Sequence, residues 1–220
     1  MFDGCETFNQ NLNSWDTSSA KTFFKMFNGC KSYNQPMNNW KTDNVIHFNY
    51  MFFGCSSFNQ DLNSWNMLQA KNCEGMFQYC TNFNGNISNW KLSTCNSFKN
   101  MFSNCINFNC DLSNWDVSHG ILFINMFYKC SSLSFDPSDW NVSYGRDFEG
   151  MFAYCDNMEM PLDLEKYILC KGSYNSYKER ELKPLHGTFT EKQWSKFSKK
   201  YLKYLDDLKF HLENEKSDNN

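Results

Sequence analysis

Apolar and polar residues follow one another along the chain in a block that returns every 25 residues. Met-Phe opens each block at Met1, Met26, Met51, Met76, Met101, Met126 and Met151. A cysteine follows three residues after each Phe, at Cys5, Cys30, Cys55, Cys80, Cys105, Cys130 and Cys155. Counted from that Met, position 8 is Phe8, Tyr33, Phe58, Phe83, Phe108, Leu133 and Met158, and position 15 is Trp15, Trp40, Trp65, Trp90, Trp115 and Trp140. The seventh block has Glu165 where Trp belongs, so six copies are complete and the register is lost between Pro161 and Glu165. In the fifth block the apolar positions are Met101, Phe102, Cys105, Phe108, Leu112, Trp115, Val117, Gly120 and Phe123. Positions 15 and 17 alternate with polar neighbours, the period of a half-buried strand, whereas positions 20, 23, 1/2 and 5 are three or four apart, as on a helical turn. The pattern predicts, for each block, a strand of about five residues, a bend, a short helix and a loop carrying Phe-Asn-Gln.

A constant period with one large apolar residue at each place lets every unit present the same side chain to its neighbour, the arrangement of a stack. The expected fold class is an α/β repeat solenoid, leucine-rich-repeat-like, built from short parallel strands and short helical turns over residues 1–162 and closed by a C-terminal capping helix within 163–215. Thr190 and Gln193 form a capping box there. Beyond it Trp194, Phe197, Tyr201, Tyr204/Leu205, Leu208 and Leu212 place one apolar face on a helix over about 191–214. Residues 216–220 read as a disordered tail.

The spacing from Leu112 through Trp115 to Val117 is the L-x-x-L-x-L signature with Trp in its second slot. The whole unit, L-x-x-W-D-V-S followed by M-F-x-x-C-x-x-F-N-Q, resembles the BspA-like leucine-rich repeat proteins, abundant in mycoplasmas and other bacteria and also seen in protists and large DNA viruses. The resemblance spans residues 1–162 and implies a role in surface adhesion and protein interaction. The chain departs from that pattern by carrying Cys where many copies carry Ala. Its first residues, MFDGCETFNQ, also lack the basic start and apolar block of an export signal.

The tryptophan and cysteine rows are read as structural ladders. No Cys pair has metal-ligand spacing, so the cysteines are expected as small buried thiols, which favours an intracellular compartment. Asn9, Asn34, Asn59, Asn84 and Asn109 share one position and are expected to hydrogen-bond the next coil's backbone. Aromatics make up 18% of the chain, which excludes disorder for most of it. The net charge of −3, with only Arg146 and Arg180 as arginines, argues against nucleic-acid binding. No apolar stretch is long enough to span a membrane. The histidines His47, His119, His186 and His211 do not repeat, and no nucleotide, zinc-protease or hydrolase motif occurs. The expectation is a non-enzymatic protein-interaction module without cofactor or metal, its partner face being the outward row Asp16, Lys41, Asp43, Asn66, Lys91, Asp116 and Asn141. Because Met1 coincides with the repeat's own Met, Phe2, Phe8, Leu12 and Trp15 are expected to face solvent at an open edge, and self-association through the first coil is the alternative reading.

Overall fold

The computed structural model describes residues 1–158. The 25-residue blocks form successive coils stacked in register, with parallel bridges joining Thr22 to His47, His47 to Asn72, Asn72 to Ser97, Ser97 to Leu122 and Leu122 to Asp147. Among the described residues these isolated bridges are the only β-structure, and no helix is present. The expected α/β fold class is therefore wrong: neither the strand of about five residues expected around Trp115 and Val117 nor a helical turn around Met101 exists. The proposed cap and tail, 163–215 and 216–220, lie outside the described residues.

What replaces strand and helix is a run of closed turns. In the second coil the Cys30 N–H donates to Phe27 C=O at 2.9 Å, Tyr33 to Cys30 at 3.0 Å, Trp40 to Met37 at 3.2 Å, Val45 to Thr42 at 3.0 Å and Met51 to Phe48 at 3.1 Å. Apolar residues three apart are thus the first and last residues of β-turns, and both ends of each turn point inward. A helical turn produces the same spacing, which is why the pattern misled. Positions 4 and 25 decide between the two. Gly29 and Gly54 at position 4 have φ of 72° and 69°, and Tyr50 and Asn100 at position 25 have φ of 56°. A left-handed third residue is the mark of a type II turn and breaks a helix.

Between these turns the Met-Phe segment pairs with the next coil at alternate residues. Phe48, Tyr50, Phe52 and Gly54 donate their N–H groups to Asn72, Glu74, Met76 and Gln78 at 3.0, 2.8, 2.9 and 2.8 Å. The left-handed residues interrupt the extended backbone there, so the ladder never becomes a regular strand. The tryptophan side, where the parallel sheet was expected, is joined instead through side chains, such as Thr42 Oγ1 donating to Asn66 C=O at 2.8 Å.

Rows of identical rings fill the interior. Position-2 phenylalanines stack at 5.7 Å (Phe27 to Phe52), 5.5 Å (Phe52 to Phe77) and 5.5 Å (Phe77 to Phe102). Position-15 indoles run parallel at 6.4 Å from Trp40 to Trp65 and 6.3 Å from Trp65 to Trp90. Stacked aromatic pairs add about 0.5–1.5 kcal/mol each beyond the area they bury. Position 8 packs onto position 2 of its own coil, as in Phe52 against Phe58 at 4.1 Å.

Candidate recognition face

The cysteine and tryptophan rows serve one purpose by two chemistries. The turn-closing carbonyls at positions 12 and 2 accept their own coil's N–H and also a side-chain donor from the next coil. Leu12 C=O takes the Trp15 N–H at 3.0 Å and the Trp40 indole N–H at 2.9 Å. Trp65, Trp90, Trp115 and Trp140 repeat this on Met37, Leu62, Ile87 and Leu112. Phe2 C=O likewise takes the Cys5 N–H and the Cys30 thiol, both at 3.0 Å. Cys55, Cys80, Cys105, Cys130 and Cys155 donate to Phe27, Phe52, Phe77, Phe102 and Phe127. Burial raises the Cys30 thiol pKa to about 11 and pushes Cys55, Cys80, Cys105 and Cys130 higher still, so these sulfurs stay protonated and able to donate. Cys5, in the first coil, is exposed, and no disulfide occurs among the described cysteines. The asparagine row works in the opposite sense: Asn9, Asn34, Asn59 and Asn84 accept, through Oδ1, the N–H of Asn34, Asn59, Asn84 and Asn109 at 2.8–2.9 Å.

Of the polar row, Asp16, Lys41, Asp43, Lys91, Asp116 and Asn141 are exposed and Asn66 is half-buried. They do not line a sheet, because none forms beneath them. Asp16, Asn66, Asp116 and Asn141 instead accept the N–H two residues on, at Ser18, Leu68, Ser118 and Ser143, which fixes the following turn. Hydrogen bonds from the Ser18 and Ser118 hydroxyl and amide lower the Asp16 and Asp116 carboxyl pKa values. Asn66 and Asp43 are brought together, Nδ2 to Oδ1 at 2.8 Å. Much of this row's polarity is thus spent locally.

The opposite side, along the Met-Phe ladder, carries a ridge of rings that the repeat pattern did not single out. Phe24 meets Tyr50 at 6.5 Å, Tyr50 meets Phe53 at 6.0 Å and Phe53 meets Tyr79 at 5.4 Å, each edge-on. Phe24 is 52% exposed and Tyr79 46%. Lys25 lies over the Phe24 ring, and a second group joins Tyr128, Lys129 and Tyr154. At the centre the Tyr50 hydroxyl donates to Glu74 at 2.6 Å, and Lys99 pairs with the same carboxylate at 3.4 Å. Burial, then the Glu74 hydrogen bond and charge, push the Tyr50 phenol up to about 12. Glu74 is therefore held by two partners and the Tyr50 ring is fixed beside Gly75, where a Cβ would come within 2.5 Å of it. The result is a rigid aromatic ridge with one masked acid in its middle.

Among the described residues no group of three or more His, Cys, Asp or Glu side chains is placed to hold a metal ion, and no helix is long and apolar enough to cross a membrane. Comparison with curated proteins gives no match, and comparison with solved structures gives none. One family model matches residues 1–86 and again 65–167, and its description names a mycoplasma protein of unknown function rather than the BspA-like group. With most of its length covered by the two matches, the chain belongs to the family described as Mycoplasma protein of unknown function, DUF285.

Proposed function

We propose that the protein is a non-enzymatic interaction module and that its partner is a protein docking on the aromatic ridge Phe24–Tyr50–Phe53–Tyr79. The observation that carries this reading is the exposure of contacting rings on the side of the stack where backbone hydrogen bonds hold the coils most tightly. Tyrosine on a rigid support offers large contact area at low entropy cost, the composition typical of binding hot spots. The likeness to BspA-like repeats fits the same role. The polar row Asp16 to Asn141 is the second surface available, weaker because its side chains close their own turns.

The test is quantitative capture from source-cell and host-cell lysates by three chains: the native one, Tyr50→Ser with Tyr79→Ser, and a charge-reversed row (Asp16→Lys, Lys41→Glu, Lys91→Glu, Asp116→Lys). A partner held by the native and row-reversed chains but lost by the tyrosine variant supports the ridge. Loss only on row reversal moves the contact to the polar surface. Recovery of nothing but copies of the chain means self-association, for which Trp15, 39% exposed in the first coil, is the contact to change next.

A further inference from the structure

Charge is distributed unevenly around the stack. On the polar side, positions 11 and 16 carry Asp16, Asp61, Asp111, Asp116 and Asp136 against Lys41 and Lys91, all of them exposed. On the side of the ridge, position 21 is Lys21, Ile46, Lys71, Asn96, Ile121 and Arg146, a row with three exposed bases and no acid. Among the described residues Lys21, Lys71 and Arg146 make no ion pair. Backbone bonds join this row from coil to coil, Ile46 N–H to Lys21 C=O at 3.0 Å and Lys71 N–H to Ile46 C=O at 2.9 Å, so its charges are spaced by whole coils. The aspartates on the polar side are spaced by the same coils.

Turn closure does not require an acid on that side. Asp16, Asp111, Asp116 and Asp136 each accept the N–H two residues on, at Ser18, Ser113, Ser118 and Ser138, and keep their charge. Asn66 and Asn86 make the same bond without one. The two rows also match coil by coil. The first, third and sixth coils, which carry the bases Lys21, Lys71 and Arg146, carry Asp16, Asp61 and Asp136 as well. The second and fourth, basic on the polar side at Lys41 and Lys91, have the uncharged Ile46 and Asn96 at position 21.

We propose that a second copy of the chain docks on the ridge side, its acidic row lying parallel and in register against Lys21, Lys71 and Arg146. Bases then meet acids in three coils, and Lys41 and Lys91 meet no like charge at position 21. Complementary charge of this kind fixes register and orientation. Each copy offers one side and receives on the other, so the contact is heterologous and does not close; further copies add side by side. The proposal rests on the ridge side as a docking surface and names the partner that its charges fit.

The test is sedimentation of the full, reduced chain and of two neutralised variants. The native chain should show an average mass that rises with concentration at about 0.01 M salt and returns to the monomer at about 1 M, where exposed charges are screened within about 3 Å. Both variants borrow residues from the repeat itself. Asp16→Asn, Asp61→Asn, Asp111→Asn, Asp116→Asn and Asp136→Asn together keep every turn-closing oxygen, and Lys21→Asn, Lys71→Asn and Arg146→Asn together copy Asn96. Each variant alone should be monomeric. Their equimolar mixture should form a one-to-one complex and nothing larger, since one basic row and one acidic row remain; that complex also shows both variants to be folded. A native chain that stays monomeric at tens of micromolar in low salt would overturn the proposal, as would variants that fail to combine. Association that persists in both variants and is lost on Trp15→Ser would place the contact at the first coil instead. None of these failures removes the ridge as a surface for another protein, which the lysate capture reads separately.

Discussion

Tyr33 carries a hydroxyl in a row that is otherwise Phe, Leu or Met, and its oxygen is buried without a hydrogen-bond partner. An unsatisfied buried hydroxyl has lost its water for nothing, so Tyr33→Phe should stabilise the protein by about 1 kcal/mol. A urea midpoint that rises with unchanged slope checks this; a fall would mean that the hydroxyl has found a partner. The ladder thiols carry a pH dependence of definite sign. A group that holds its proton more tightly when folded contributes stability that is complete below its unfolded pKa and is lost as pH rises through the folded one. Cys30, raised by burial from 9.0 to about 11, loses its contribution between those values, and Cys55, Cys80, Cys105 and Cys130 extend the loss upward. Urea midpoints measured under reducing conditions should therefore fall steadily above pH 9, and a flat profile would show that the thiols ionise in place.

At the scale of the turn, the third residue of each type II bend sets the cost of substitution. Gly54 has φ of 69° and open space around it, the nearest atom to an added Cβ being Gly29 Cα at 3.9 Å. Gly54→Ala should therefore cost about 1 kcal/mol through backbone conformation alone. Gly85 is the contrary case: an added Cβ would lie 2.1 Å from the Gln60 carbonyl oxygen, so Gly85→Ala should cost about 2–3 kcal/mol through displaced backbone. Equal losses in a paired denaturation experiment would refute the distinction. The same bends explain what could be read from the chain beforehand. The period and the inward positions were legible because a stack must repeat them. The local geometry was not, since residues three apart close a turn as readily as they line a helix; the signal that separates them was Gly and Asn at positions 4 and 25, as in Gly29, Gly54, Asn100 and Asn104. The ridge escaped notice because Phe24, Tyr50, Phe53 and Tyr79 occupy positions 24, 25, 3 and 4 and share no single row. Only the chain's turning brings them side by side.

At the scale of the whole stack, the side-chain hydrogen bonds that join coils among the described residues link residues 23 to 28 apart, so they connect neighbours only. Stability then approximates a sum of like interfaces. Deleting residues 101–125 joins Asn100 to Met126, position 25 to position 1, and should leave a folded stack with a lower midpoint and smaller urea slope. Deleting 101–124 instead shifts every later side chain by one position and should cost the downstream coils their tryptophan environment, read by fluorescence. Survival of both deletions alike would argue against register as the organising constraint. The doubly used carbonyls also have a mechanical meaning. Each binds an amide of its own coil and an indole or thiol of the next, so a coil drawn off the end of the stack surrenders its whole set of bonds at once. Under tension the described array should yield in equal steps, each releasing about 85 Å of chain, a tether that lengthens by instalments while the coils behind the break keep their shape.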